Sequence, residues 1–204
     1  GNLFSNVYKG EIQGQSLGID VDIFNEEGNS VDGKGELVVK KPFPTMPIKF
    51  WGDEKGVKYH EAYFSKFKNI WHHGDFIEIT KNNGFIIRGR SDATLNPGGV
   101  RIGTAEIYQQ VENIDFITEG LVVGQNFNND VRIVLFVTTK HNKELDDEKI
   151  KFIKSKIRMN CSPKHVPSKI IKTPEIPRTK SGKIVELAVR KIINGEEINN
   201  LEAI

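Results

Sequence analysis

The chain has 204 residues, 37% apolar and 27% charged, with a formal net charge of +2. That balance excludes a fibrous repeat or a disordered low-complexity chain and suits one large or two small globular domains. A single cysteine, Cys161, excludes an internal disulfide and a multi-cysteine metal site, and no apolar run nears the ~20 residues of a membrane helix, so a reducing cytoplasm is the expected compartment.

The opening stretch, residues 1–8, has neither a basic start nor an apolar core, so no signal peptide is expected. A chain starting on Gly1 reads as a fragment, a processed product or one with a tag remnant. Residues 1–89 read as β-rich. Residues 17–24 alternate apolar and polar, the period of a half-buried strand, and residues 36–41 form a second strand after the turn at 31–35. Pro42, Pro44 and Pro47 exclude a regular element between them, because each removes a backbone donor. Residues 76–80, the turn Lys81-Asn-Asn-Gly84 and residues 85–88 predict a hairpin.

From Gly89 the pattern changes. The spacing predicts a helix over 104–111 with Thr104 as N-cap, strands near 121–123 and 132–138, and a helix over 146–160 with Ile150, Ile153 and Ile157 inward. A short strand at 168–171 and a helix over 185–193, closed by Asn194-Gly195, complete the chain. The expected fold is α+β: a β-rich, barrel-like portion over 1–89 and a small mixed α/β domain over 90–204.

Charge is unevenly spread. Residues 1–89 hold 11 basic and 12 acidic residues, whereas 13 basic residues between positions 149 and 191 face only Glu175 and Glu186. Such a field suits a polyanionic partner, either nucleic acid or a phosphorylated cofactor, and it equally suits a solvated lysine-rich helix face.

Three segments carry possible chemistry. Pro177-Arg-Thr-Lys-Ser-Gly-Lys183 reads as a mobile exposed loop with three cations. It is not a P-loop, since Pro177 stands where a glycine belongs and Ile184 where Ser or Thr would bind magnesium. Its lysines serve phosphate as movable point charges, or merely solvate a loop. In the segment 89–107, Asn96-Pro97-Gly98-Gly99 is a turn whose glycines permit close ligand approach, and Arg90 and Arg101 suit phosphate or ribose oxygens. A plain linker, turn and capped helix would use most of the same residues. In Trp71-His-His-Gly-Asp75, the carboxylate of Asp75 at a strand entrance suits a sugar diol, or Gly-Asp is only a turn. His72 and His73 point to opposite faces of a strand, which argues against a shared metal.

In this order the three segments resemble the adenylate-forming superfamily of acyl-CoA synthetases, peptide-synthetase adenylation domains and luciferases, over nearly the whole chain. Residues 8–13, 41–51, 89–107 and 185–190 are similar to a narrower family within it, the acetoacetyl-CoA synthetases. The resemblance implies a two-step reaction: a carboxylate attacks the α-phosphate of ATP, then coenzyme A displaces AMP. It implies ATP-binding roles for Asp75, Arg90 and Arg101, and a catalytic cation in Lys183. Gly98 and Gly99 would line the path of coenzyme A, Arg158 would meet its phosphates, and Asp92 would be the hinge of a swinging C-terminal domain.

ATP with magnesium and coenzyme A are the implied small-molecule substrates, with no metal held by the chain itself. The superfamily's phosphate loop, adenine segment and acyl pocket lie upstream of the matched region, so the missing N-terminal region is the expected partner and the chain alone is expected to be inactive. Neither nucleic acid nor membrane is the favoured partner. A nucleic-acid module and a non-catalytic, partner-assembled fragment remain as other readings.

Overall fold

The structure is a computed structural model that describes residues 2–198. The chain divides into two compact units, the first ending at Ser91 and the second beginning at Asp92.

The first unit is an open four-stranded antiparallel sheet in the order β1 (Val21–Phe24), β2 (Lys34–Val39), β3 (Trp71–Ile79), β4 (Phe85–Arg90), with no closed barrel among the described residues. Ile23 and Ile77 are buried on one face of the sheet and Val38 on the other. The expected hairpin is the β3–β4 pair, closed by Thr80 and Gly84 through a 2.9 Å backbone bond. The first strand is shorter than expected, because Ser16 to Ile19 close a turn and leave Leu17 exposed.

A helix that the spacing did not predict, α1 (Val57–Tyr63), follows the proline-rich stretch. It buries no residue fully. Tyr63 stacks on Trp71 with ring centroids 3.7 Å apart, and Phe43 and Phe64 meet the same indole edge-on. Buried Asp53 accepts the Tyr59 backbone N–H at 2.8 Å. Aromatic packing, rather than an aliphatic 3.6-residue stripe, selects this helix.

The second unit is a three-stranded sheet in the order β5 (Ile117–Phe127), β6 (Asp130–Thr139), β7 (Lys169–Lys172). β5 and β6 are antiparallel, and β7 joins β6 in parallel after a crossover through α3 (Asp147–Asn160). Ile133, Leu135 and Val137 pack on one face with Ile107 and Val111 of α2 (Thr104–Val111) and Ile153 and Ile157 of α3. Val134 and Phe136 turn to the other face, where Leu121, Val123 and Ile176 meet Val189 and Ile193 of α4 (Glu186–Ile193). Asp146 caps α3 by accepting the Lys149 N–H at 2.9 Å.

Thr104 is not the N-cap of α2. Gly103 holds that position without a side-chain bond, and Thr104 is already helical and buried. α4 ends as expected: Gly195 is left-handed at φ 72°, and the Glu196 N–H reaches the Lys191 carbonyl at 2.9 Å. No helix among the described residues is long and apolar enough to cross a membrane.

Candidate functional site

Gly74 and Asp75 lie inside β3 rather than at its entrance, with Asp75 opposite Arg90 of β4. Arg90 Nη1 stands 3.5 Å from Asp75 Oδ1, and His73 Nε2 stands 3.5 Å from Asp75 Oδ2. Gly74 has φ +85°, and a Cβ there would approach the Arg90 guanidinium to 2.9 Å. The glycine therefore lets the guanidinium lie against the strand beside the carboxylate. With side chains 21% and 56% exposed, the pair contributes little stability, about 0–1 kcal/mol. It presents a half-buried acceptor next to a planar cation, the donor–acceptor set that suits a ribose or phosphate oxygen.

Beside this pair lies a polar cluster that the spacing did not single out. Glu36 on β2 is fully buried and sits on the same strand face as buried Val38. Its Oε1 accepts from Lys66 Nζ at 2.5 Å, and its Oε2 meets His72 Nε2 at 3.0 Å and the Ser91 hydroxyl. A buried carboxylate is tolerated only when cations and donors fill its lone pairs, as they do here. His72 and His73 thus serve two different carboxylates, Glu36 and Asp75. A charge two residues from a core valine was the available signal.

Asp92, the first residue of the second unit, is the middle residue of a short 3₁₀ turn, Ser91–Ala93, that ends on buried Ala93, and its carbonyl accepts from Arg190 Nη1 at 2.6 Å. Leu95 and Ile102 pair across the next turn, which sets Arg101 Nε 3.2 Å from Thr94 Oγ1. At the tip, Gly98 and Gly99 are left-handed, at φ 57° and 75°. The Asp130 carboxylate accepts the Gly98 N–H at 2.8 Å and the Val131 N–H at 2.7 Å. Those bonds, with Lys164 nearby, hold its carboxyl below the usual carboxylate range. A groove of about 420 Å³ runs past Gly98, Phe127, Arg132 and Lys164. Arg158, exposed on the last turn of α3, makes no bond to the 98–99 turn among the described residues.

The 177–183 segment is largely exposed, as expected of a loop, and is closed by its own bonds. Thr179 N donates to the Lys183 carbonyl at 2.8 Å, Gly182 N to the Thr179 carbonyl at 2.8 Å, and Lys183 N to Thr179 Oγ1 at 3.1 Å. Arg178 bonds the Gly182 carbonyl at 2.7 Å and Glu119 of β5 at 2.5 Å. Ile184 packs into the cluster under α4. Lys183 itself is exposed, and no described side chain pairs with its ammonium. A rigid base thus carries a long, free cation.

α4 is fixed at its start by a half-buried pair. Tyr108 OH donates to Glu186 Oε1 at 2.5 Å and accepts the Val122 N–H at 3.1 Å. Burial pushes Glu186 above its usual range, and burial together with Glu186 pushes the Tyr108 phenol strongly upward, so that it stays protonated. No three or more His, Cys, Asp or Glu side chains gather as a metal site among the described residues.

Comparison with known proteins shows what the chain is similar to. No protein-family model matches the chain. It superposes on a benzoate CoA ligase from Burkholderia xenovorans with a TM-score of 0.73 at 23% identity, covering 90% of this chain and 36% of that one, a likeness of fold alone. The fold is that of a fragment of the AMP-forming acyl-CoA ligases.

By sequence the chain is similar to acetoacetyl-CoA synthetases. It is 56% identical to the one of Rhizobium meliloti over all of this chain and 32% of that protein. The acetoacetyl-CoA synthetase structure from Streptomyces lividans matches with a TM-score of 0.83 and 41% identity, over 90% of this chain and 28% of that one. The chain therefore spans about a third of the length of the relatives it matches.

Proposed function

We propose that the chain is the C-terminal portion of an ATP-dependent acid–thiol ligase that converts acetoacetate, ATP and coenzyme A to acetoacetyl-CoA, AMP and diphosphate. In the first step the acid's carboxylate oxygen attacks the α-phosphorus, and the bond to the β-phosphate breaks with release of diphosphate. In the second the thiol, losing its proton, attacks the acyl carbon and AMP leaves.

Lys183 lies between the substrate carboxylate and the α-phosphate during the first step. Two anions must approach, and a cation held there in a water-poor cleft is worth about 3–4 kcal/mol, or a hundredfold to a thousandfold in rate. Asp75 accepts the ribose hydroxyls and Arg90 assists. Asp92 is the hinge about which the second unit turns between the steps. Gly98 and Gly99 then face the site and pass the pantetheine arm along bare backbone, Arg101 meets phosphate in one pose, and Arg158 meets coenzyme A phosphate. Magnesium arrives with ATP as part of the substrate. The partner is the N-terminal region of the same enzyme, with the acyl pocket and phosphate loop, and neither nucleic acid nor membrane takes part. The compartment is the cytoplasm.

The observation that carries this reading is the Lys183 turn: bonds among Thr179, Gly182 and Lys183 and the Arg178–Glu119 pair close it, and the exposed Lys183 ammonium extends from it with no described partner. The test pairs two proteins. The full-length enzyme releases diphosphate when given acetoacetate and ATP, and this chain alone releases none above blank. Diphosphate release by the chain alone contradicts the partner requirement, and a full-length enzyme indifferent to acetoacetate contradicts the substrate.

A further inference from the structure

Ser91 and Asp92 are covalent neighbours, and each is tied to its own unit by a side chain that the reaction scheme leaves unused. The Ser91 hydroxyl bonds Glu36 Oε2. Glu36, at 0% exposure, also binds Lys66 at 2.5 Å and His72 at 3.0 Å, so it is fixed by β2, β3 and the segment after α1. On the other side of the peptide bond, the Asp92 carbonyl accepts from Arg190 Nη1 at 2.6 Å. Arg190 stands on α4, whose Val189 and Ile193 are packed against Leu121, Val123 and Val134.

A buried carboxylate cluster is a poor source of stability, since apolar packing of the same volume does as well or better. What charge-assisted bonds supply is fixed geometry. Here that geometry is spent on the last residue of the first unit. The Arg190 bond does the same for the first carbonyl of the second. Between the two attachments only three backbone torsions remain: Ser91 ψ, Asp92 φ and Asp92 ψ.

We infer that Glu36 and Arg190 are positioning residues that confine the domain pivot to those three torsions, Glu36 by holding Ser91 and Arg190 by holding the Asp92 carbonyl. The inference rests on the hinge reading above. A pivot spread over more residues would deliver Lys183 and the 98–99 turn over a range of positions, and displacement of about 1 Å costs up to a hundredfold in rate.

The test uses the full-length enzyme with spin labels at Lys55→Cys and Lys151→Cys, other accessible cysteines being replaced. Distance distributions are recorded with ATP and acetoacetate, and again with coenzyme A present. The wild type gives two narrow, separate distributions. Ser91→Ala and Arg190→Met each broaden both and slow both half-reactions by about tenfold or more. Ser91→Thr, which keeps the hydroxyl, restores the narrow distributions, a rescue that loss of packing does not explain. Unchanged widths, with both half-reactions within about twofold of wild type, overturn the inference while leaving the hinge in place. A wild type that shows one distribution under both conditions overturns the hinge reading itself, and the inference with it.

Discussion

The Tyr108 hydroxyl joins three elements through one oxygen: it donates to Glu186 at the start of α4 and accepts the Val122 N–H of β5, while its own ring belongs to α2. The helix that follows Lys183 is thereby anchored to the sheet at its first residue. Tyr108→Phe keeps the ring but leaves Val122 N–H and a half-buried carboxylate short of a partner. It is expected to cost about 1–3 kcal/mol, read as a lowered Tm.

Glu186 sets a pH dependence. Its carboxyl is raised above the ordinary 4.5, first by burial and then by the Asp92 charge, against the lowering bond from Tyr108. The folded state therefore favours the protonated form. Its contribution is fully present below about pH 4.5 and is lost as pH rises through the raised folded value. Glu186→Gln copies the protonated form and still accepts from Tyr108. Measured by Tm across a pH series, the variant is at least as stable as wild type near pH 7, and the two converge below pH 4.5. A variant that loses stability only at neutral pH contradicts the assignment.

Arg178 tests the base under Lys183. It bonds both the Gly182 carbonyl and Glu119, so it closes the turn and ties it to β5. Because both side chains are partly exposed, Arg178→Ala is expected to change Tm little, by about 1 kcal/mol or less. Adenylate formation in the full-length enzyme is expected to slow by about tenfold or more, as the cation loses its fixed base.

The 98–99 turn makes a complementary prediction. At Gly98, φ is +57° and a Cβ would meet Lys164 Nζ, so Gly98→Ala strains the backbone and displaces the lysine. Thioester formation in the full-length enzyme is expected to fall while adenylate formation stays near wild type. Gly99→Ala meets no atom within 4 Å and carries the backbone penalty alone, of order 1 kcal/mol, so its effect is smaller.

The elements with a strong period were legible before the structure. α3 declared itself by the spacing of Ile150, Ile153 and Ile157, and the β3–β4 hairpin by alternation around Asn82-Asn83-Gly84. α1 was not, because its stability comes from Tyr59 and Tyr63 stacking around Trp71, a tertiary contact without an aliphatic stripe. The order of the Gly-Asp, glycine-turn and lysine segments pointed to the ligase class. Glu36 and Arg190 stayed hidden because their partners, Ser91 and Asp92, are remote in sequence and the bonds form only once the chain has folded. The reading of 177–183 as an exposed loop did not include its closing bonds, for a related reason. Its proline and glycine indicate a break in regular structure, while the closing bonds from Thr179 and Glu119 involve no periodic signal.

The most direct measurement separates the two half-reactions in the full-length enzyme carrying Lys183→Ala. If the cation brings acid and α-phosphate together, acetoacetate-dependent diphosphate release falls by a hundredfold or more, about 3 kcal/mol, while thioester formation from preformed acetoacetyl-adenylate and coenzyme A stays near wild type. Diphosphate release at the wild-type rate contradicts the account.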